Sequence, residues 1–258
     1  MRTLLRPFLL VLLLATAPAF AQAPASKLDA ILARGTVRVG LTGDYRPFAL
    51  LDKTTGHFEG LDVDMADALG RALGAKVELV PTTWGGLLAD LAADKFDLAM
   101  GGISVTLERQ KTAFFSTPLV RTGKAAIARC TDQQRFASLA DIDRPGTKVL
   151  TNPGGTNERF DRATLKAADI VVFPDNAKIF DELVAGRGDV MITDSVETRL
   201  QQKLHHELCA IHPDHPFDFG ELAYLLPRDV VLKAWIDQWL HIETETGDYA
   251  RLTAKWLE

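Results

Sequence analysis

Two short segments, far apart in the chain, carry the polar residues best suited to hold and change a small molecule. Residues 102–109 offer hydroxyl groups and a guanidinium, and residues 193–197 offer two carboxylates. Each follows an apolar run typical of a buried strand, residues 96–100 and residues 189–192. Ligands of open α/β sheets bind beyond the carboxyl ends of the strands. We therefore expect both segments to face one cleft that accepts a molecule with an anionic group.

In the second segment, Asp194 and Glu197 are three residues apart. A pair of carboxyl groups can supply a general acid, because burial and a neighbouring negative charge raise the pKa of one member. The same spacing after a strand is also that of a capping box, with Asp194 as N-cap and Glu197 at the third helical position. A helix N-terminus would lower the pKa of the acid. The spacing alone favours the cap.

In the first segment, Arg109 is the candidate clamp for a carboxylate, because a guanidinium holds that group through two parallel hydrogen bonds. The alternative is a surface ion pair with Glu108 or Asp90. Ser104 and Thr106 can add hydroxyl or backbone donors, although Thr106 also has the position of a helix N-cap.

A glycine-rich turn, residues 152–157, is expected to place amide donors at a helix N-terminus, where anions bind. The turn lacks the Gly-Lys-Ser/Thr ending of a nucleotide P-loop, which excludes ATP and GTP. A plain turn stays open as an alternative. On the opposite side of the cleft we expect Asp44, Tyr45 and Trp84. Trp84 can stack on a flat ring, although tryptophan is more often a core residue.

The order of the predicted elements indicates an α/β fold with two lobes. Strand and helix patterns alternate from residue 37 to 100 and again from 149 to 192, which favours parallel sheets with helices on their faces. Residues 119–129 and 217–226 are predicted to be extended crossings between the lobes, and residues 230–257 to form two helices that return to the first lobe.

The predicted architecture is therefore doubly wound, with two sheets joined by two hinge strands and a cleft between them. Lobe 1 is expected to comprise residues 22–122 plus 218–258, and lobe 2 residues 123–217. Ligand pockets favour such domain junctions. Closing the cleft would exclude water and strengthen the polar contacts inside it.

Residues 1–21 have the pattern of a signal peptide, with a basic start, an apolar run and a small-x-small cleavage site. The apolar run is too short for a comfortable membrane span, which needs about 20 residues, so an uncleaved anchor is the less favoured alternative. The remaining 237 residues are expected to be exported, into the periplasm where a cell has two membranes. Without Arg2 and Arg6 the formal net charge falls from −5 to −7, which argues against nucleic-acid binding.

Cys130 and Cys209 are the two cysteines of the chain. An even count in an exported protein favours a disulfide, although two buried free thiols are the alternative.

The chain resembles the periplasmic amino-acid-binding proteins. The segments that carry this resemblance are residues 43–48, 60–64, 96–99, 104–109 and 115–118. The resemblance implies a two-lobed periplasmic-binding-protein-like (type II) fold. It also implies that Arg109 holds the ligand carboxylate and that Asp194 holds a ligand ammonium.

A second set of segments is similar to the exported cyclohexadienyl dehydratases of the same superfamily. These segments are residues 152–158, 193–200, 206–210, 216–219 and 237–242. The similarity implies decarboxylating dehydration of prephenate and arogenate, with Glu197 as general acid and without a metal or organic cofactor. It also makes Asn152, Thr156 and Asn157 candidate polar contacts to the substrate. The alternatives are a solute-binding protein of an ABC transporter and a sensory ligand-binding module.

Overall fold

The computed structural model describes residues 26–257. The predicted signal peptide, residues 1–21, lies outside this range and stays a prediction. Residues 26–122 contain four α-helices: α1 (Lys27–Arg34), α2 (Leu61–Leu73), α3 (Leu87–Ala92) and α4 (Leu107–Gln110). The strands in this range are β1 (Thr36–Leu41), β2 (Asp44–Tyr45), β3 (Ala49–Leu51), β4 (Phe58–Glu59), β5 (Lys76–Pro81), β6 (Leu98–Ser104), β7 (Phe114–Phe115) and β8 (Val120–Thr122).

The middle part of the chain forms a second group of elements. In chain order these are β9 (Lys124–Arg129), α5 (Leu139–Ile142), β10 (Lys148–Thr151), α6 (Thr156–Thr164), β11 (Asp169–Val172), α7 (Ile179–Val184), β12 (Val190–Asp194), α8 (Ser195–Leu204) and β13 (Leu208–Ile211). Two 3₁₀ helices occur at Cys130–Phe136 and Asn176–Lys178. The chain then continues through β14 (Gly220–Leu226), α9 (Val230–Glu245) and α10 (Asp248–Leu257).

The strands build two main sheets, one in each lobe. The first has the order β5-β1-β6-β14-β7, with β8 paired to β14, and the second has the order β11-β10-β12-β9-β13. In each sheet three parallel strands with helical connections are followed by antiparallel strands. Strands β2, β3 and β4 form a small antiparallel sheet beside the cleft. The predicted two-lobed α/β architecture is confirmed.

Helix α2 shows how the apolar pattern places an element on its sheet. Its buried face contains Met65, Ala66, Leu69 and Leu73, which recur at helical spacing and pack in the core of the first lobe. Gly74 follows in the left-handed conformation, with φ of 62°, and ends the helix.

The two strands that carry the candidate site are longer than their apolar runs. Strand β6 continues through a glycine pair to Ser104, and β12 continues to Asp194. Our expectation that the polar residues follow the strands is therefore wrong for Ser104 and Asp194, which end the strands, whereas Arg109 and Glu197 do follow them. Glycine is needed at position 102, because a Cβ atom there would lie 2.5 Å from the Phe48 ring and 2.8 Å from the Tyr45 ring. The extended strand thus brings Tyr45 against the backbone beside the cleft.

The two crossings between the sheets touch each other at Gly123. A Cβ atom at this position would overlap the carbonyl oxygen of Asp218. The Lys124 amide donates to Asp218 Oδ1 at 2.6 Å, and the Phe217 amide donates to the Lys124 carbonyl at 2.7 Å. The Ser195 amide, the first of α8, donates to the Gly123 carbonyl at 2.8 Å. The hinge is therefore bonded to the helix that carries Glu197. The limits of the lobes, at residues 122–123 and 217–218, stay a prediction.

Cys130 and Cys209 form a disulfide that joins the first 3₁₀ helix to β13 within the second lobe. This confirms the expected pairing. Of the helices within residues 26–257, none is both long enough and apolar enough to cross a bilayer.

Candidate active site

A cleft between the lobes, with a free volume of about 20 Å³, collects most of the predicted site residues. It is lined by Tyr45, Trp84, Gly102, Ser104, Asn152, Gly155, Thr156, Asn157, Asn176, Thr193, Asp194 and Glu197. The lobes touch across it, since Ser104 Oγ lies 3.0 Å from Thr156 Oγ1 and Tyr45 donates to Asp194 Oδ2 at 2.9 Å. This space holds about one water molecule and is far below the roughly 300–1,000 Å³ of small-molecule pockets. The structure therefore shows a closed cleft.

Glu197 is the strongest candidate for acid chemistry in the cleft. It lies in the first turn of α8 and is 2% exposed. Burial raises the pKa of its carboxyl group to about 8; the Thr193 hydrogen bond opposes the shift, and the charge of Asp194 adds to it. Thr193 Oγ1 donates to Glu197 Oε2 at 2.5 Å. Because this bond occupies Oε2, the other oxygen, Oε1, is the one available to carry a proton into the cleft.

The hydroxyl group of Thr193 is held by Asn157, and Asn157 is in turn oriented by Asn152. Asn157 Nδ2 donates to Thr193 Oγ1 and to Asn152 Oδ1, each at 3.0 Å. Asn157 lies at the start of α6, and Asn152 directly follows β10. Since the Thr193 oxygen accepts from Asn157, its own proton is directed to Glu197. The polar residues of the glycine-rich turn therefore orient the acid.

Lys124 supplies a buried cation that the sequence analysis did not assign to the site. It is 5% exposed and forms an ion pair with Asp194 Oδ1 at 2.8 Å. Its ammonium also donates to Thr156 Oγ1 at 3.1 Å and to Asn157 Oδ1. The three acceptors match the three protons of an ammonium group. The signal in the sequence was a lysine at the start of strand β9, where the next four residues are apolar.

Arg109 is buried beside the cleft with an incompletely used guanidinium. It is 3% exposed, and within residues 26–257 its side chain makes one hydrogen bond, from Nη1 to the Ser104 carbonyl at 2.7 Å, and no ion pair. Burial lowers its pKa to about 10, with a further contribution from the charge of Arg159, so the group remains a cation at neutral pH. The alternative surface ion pair is wrong, since Glu108 pairs with Lys111 instead. Its free donors suit an anionic ligand.

The lobe 1 wall of the cleft is aromatic. The Tyr45 and Trp84 rings meet edge to face with centroids 5.9 Å apart. Trp84 Nε1 donates to the Asp44 carboxylate at 2.9 Å. Burial raises the pKa of Asp44, opposed by hydrogen bonds that include this one from the indole. The bond fixes the orientation of the indole beside the cleft.

Three predicted site residues, Asp44, Thr106 and Arg109, lie next to the cleft rather than on its surface. The Thr106 side chain is the N-cap of α4 and accepts from the Arg109 amide at 3.1 Å, which is the alternative stated for it. The roles of the predicted residues stay predictions.

The capping-box interpretation of the carboxyl pair is wrong. Asp194 has the N-cap position of α8, but its side chain makes no capping hydrogen bond. Its two oxygens accept from Lys124 and Tyr45 instead, and Glu197 bonds to Thr193. The two partners of Asp194 lie 70 and 149 residues away along the chain, and a local pattern contains no information about them. Besides Lys124, the sequence analysis also missed Thr193 and Asn176; nothing in the chain around Asn176 distinguished it.

The two α/β sheets, the two crossing strands and the closed cleft define a two-lobed, periplasmic-binding-protein-like (type II) fold. Residues 37–258 match the bacterial extracellular solute-binding proteins of family 3. The chain belongs to this family, whose members bind small molecules. Within residues 26–257, no cluster of three His, Cys, Asp or Glu side chains is placed to hold a metal ion.

Two curated relatives show that proteins similar to this chain include both an enzyme and a binding protein. The chain is 52% identical to a cyclohexadienyl dehydratase of Pseudomonas aeruginosa over 242 residues, which is 94% of this chain and 90% of the relative. It is 29% identical to an L-cystine-binding protein of Escherichia coli K12 over 230 residues, which is 89% of this chain and 85% of the relative.

Two crystal structures of reconstructed ancestral proteins are also similar. An ancestral amino acid-binding protein described as a precursor of cyclohexadienyl dehydratase is 37% identical with a TM-score of 0.83, covering 90% of this chain and all of that one. An ancestral cyclohexadienyl dehydratase is 49% identical with a TM-score of 0.58, covering 92% of this chain and 98% of that one.

Proposed function

We propose that this protein is an exported dehydratase that converts prephenate into phenylpyruvate and arogenate into phenylalanine. The observation that carries the proposal is the buried Glu197 carboxyl group, with its pKa raised to about 8. An acid of this strength keeps its proton at neutral pH and can still release it to a reacting oxygen. The 52% identity to a cyclohexadienyl dehydratase supports the proposal.

The reaction needs one proton at the leaving hydroxyl group. Glu197 Oε1 transfers its proton to the hydroxyl oxygen, and the carbon–oxygen bond breaks with its electron pair leaving on water. The bond to the ring carboxylate breaks in the same step. Its electron pair enters the ring, which becomes aromatic, and carbon dioxide departs. Glu197 is left as a carboxylate and regains a proton from solvent when the cleft opens.

The cations and polar groups around Glu197 position the substrate. Arg109 holds the side-chain carboxylate that the product retains, because its free guanidinium protons suit that group. The hydroxyl and amide groups of the turn, those of Asn152, Thr156 and Asn157, surround the acid from lobe 2. The Trp84 ring offers a flat surface to the cyclohexadiene ring.

The alternative is a binding protein that delivers an amino acid to an ABC transporter. That function needs no proton donor, and a buried carboxyl group with one hydrogen bond is unfavourable for a site that only binds. This observation favours the enzyme over the transporter component and over a sensory module.

The proposed location is the periplasm. Membership of an extracellular solute-binding family supports export, and residues 1–21 have the pattern of a leader that export would remove. The disulfide within the second lobe suits an oxidising compartment.

One assay tests the function. The purified protein is mixed with prephenate at neutral pH, and phenylpyruvate is followed by its absorbance in alkali. We expect turnover by the natural protein and its loss in Glu197→Gln. Absence of phenylpyruvate, together with tight binding of an amino acid, would support the transporter alternative.

A further inference from the structure

Asn176 connects the two lobes at the edge of the cleft. It begins the 3₁₀ helix Asn176–Lys178 in the second lobe and is 3% exposed. Its Nδ2 donates to the Asp44 carbonyl, in the first lobe, at 3.0 Å. Asp44 in turn holds the indole of Trp84 through its carboxylate. The side chain of Asn176 therefore joins the lobe 2 surface to the aromatic wall of lobe 1.

The orientation of the Asn176 carboxamide follows from this contact. A backbone carbonyl oxygen only accepts hydrogen bonds, so the amide nitrogen must face Asp44 and the amide oxygen must take the other position. Asn176 lines the cleft, and its Oδ1 is buried and has no hydrogen-bond partner in the part of the chain that the structure describes. A buried acceptor without a donor is unfavourable, which a donor group on a ligand would correct.

We propose that Asn176 Oδ1 accepts a hydrogen bond from the hydroxyl group that the substrate loses. This inference rests on the proposed dehydratase function. The hydroxyl oxygen must present a lone pair to Glu197, so its own proton needs an acceptor elsewhere. Asp194 already accepts two hydrogen bonds and Thr193 Oγ1 already accepts one, whereas Asn176 Oδ1 accepts none from the described residues.

The contact with Asn176 strengthens as the reaction proceeds. When Glu197 transfers its proton, the hydroxyl group becomes an incipient water that carries positive charge, and its original proton becomes a better donor. The Asn176 oxygen is uncharged, so it does not compete with the hydroxyl group for the Glu197 proton. An interaction stronger in the transition state than in the ground state raises kcat.

The same carboxamide couples this contact to closure of the cleft. Asn176 is fixed by the Asp44 carbonyl, which lies in the other lobe, so its oxygen is held in place when the lobes meet. The acceptor for the leaving group is therefore assembled by closure. Lys53 and Asp175 form an exposed ion pair between the lobes at 2.9 Å, beside Asn176 but not lining the cleft. Substitution of Lys53 is therefore a control that weakens a contact between the lobes without changing the surface of the cleft.

The experiment measures binding in Glu197→Gln protein, which we expect to bind prephenate but to convert it about 10²- to 10⁴-fold more slowly. Dissociation constants are measured by calorimetry for prephenate and for phenylpyruvate, which lacks the hydroxyl group and the ring carboxylate. Of these two groups only the hydroxyl group can donate to Asn176 Oδ1, because a carboxylate has no proton to donate. We expect Asn176→Ala to weaken prephenate binding at least tenfold more than phenylpyruvate binding. In Lys53→Met we expect the ratio of the two constants to stay unchanged. Equal weakening of both ligands by Asn176→Ala would overturn the inference.

A second measurement follows turnover. In protein with Glu197 intact, we expect Asn176→Ala to lower kcat more than it raises KM, because the contact with the hydroxyl group strengthens in the transition state, and Lys53→Met to leave kcat unchanged. An unchanged kcat in Asn176→Ala would contradict the inference. Failure of the proposed function has a different signature, because the natural protein would then release no phenylpyruvate from prephenate.

Discussion

The Lys124 ammonium lies 2.8 Å from Asp194 Oδ1, and both side chains are buried in the cleft. Asp194 accepts a second hydrogen bond from Tyr45 of the other lobe. Each oxygen of the Asp194 carboxylate therefore has a protein partner, and Lys124 balances its charge. The charge of Asp194 acts within the site by raising the pKa of Glu197, whereas the charge of Lys124 lowers it. The ion pair thus takes part in setting the strength of the proposed acid.

Lys124→Met removes the cation and leaves Asp194 buried without its charge partner. Breaking a buried ion pair in this way costs roughly 3–5 kcal/mol, so we expect a clear fall in the free energy of unfolding. The matched control is Lys53→Met, which breaks an exposed pair worth about 0–1 kcal/mol. Denaturant unfolding of both variants checks this. Equal stabilities for the two would show that the Lys124 pair is not an important contact.

The activity should fall as pH rises through about 8. Burial raises the pKa of Glu197 to about 8, and the acid works only while it is protonated. We therefore expect kcat to be lost on the alkaline side with a midpoint near that value. In Lys124→Met, removal of the nearby cation should move this midpoint to higher pH in the remaining activity. A profile unchanged up to pH 10 would contradict the assignment of Glu197.

Glu197→Gln should lower turnover by about 10²- to 10⁴-fold, the usual contribution of a general acid. Substrate binding should persist, because the amide occupies nearly the same volume. Initial rates from phenylpyruvate absorbance and calorimetric binding of prephenate test the two expectations. Normal turnover would exclude Glu197 as the proton donor.

The same substitution should stabilise the fold at alkaline pH. The folded pKa of about 8 lies above the ordinary value of 4.5, so the favourable contribution of Glu197 is fully present below pH 4.5 and is lost as pH rises through 8. We expect the Tm of Glu197→Gln to exceed that of the natural protein at pH 9 and the difference to shrink at pH 5. Burial raises the pKa values of Asp62 and Asp161 to about 6 and 7. Both groups titrate in the natural protein and in the variant, so their contributions cancel in the difference of Tm.

Arg109→Ala should weaken substrate binding with a smaller effect on kcat. Loss of charge-assisted hydrogen bonds is worth roughly 1.5–3 kcal/mol, which corresponds to roughly 10- to 100-fold in KM. Arg109→Lys is the matched control, since it keeps the charge but cannot form two parallel bonds to one carboxylate. We expect it to lie between the alanine variant and the natural protein. An unchanged KM in both variants would exclude the clamp.

Removal of the disulfide should cost stability and spare catalysis. Cys130 and Cys209 are 79 residues apart, and closing a loop of this length contributes roughly 4 kcal/mol. We expect the double serine variant to lose on the order of 10 °C in Tm with kcat retained. Calorimetric melting and initial rates provide the comparison. An unchanged Tm would show that removing the disulfide gives the unfolded chain little additional conformational freedom.

Much of the fold could be predicted from local patterns. The apolar face of α2, its end at Gly74 and the two C-terminal helices around Gly247 agree with the expected elements. Strand β6 was predicted too short because its glycine pair is typical of a turn, yet here it allows Phe48 and Tyr45 to approach the strand. Local spacing also favoured a capping box at Asp194, which partners distant in sequence replace.

The amino-acid sequence by itself determined most of the elements, the two-lobed order and the residue types of the candidate site, and it favoured a disulfide between the two cysteines, because these depend on periodicity, composition and short motifs. Only the tertiary structure decided which side chains meet. Lys124 reaches Asp194 across 70 residues, and Asn176 reaches Asp44 across 132. The raised pKa of Glu197 belongs to the same category, because burial is produced by chain segments that converge from both lobes and not by the residues beside it in sequence.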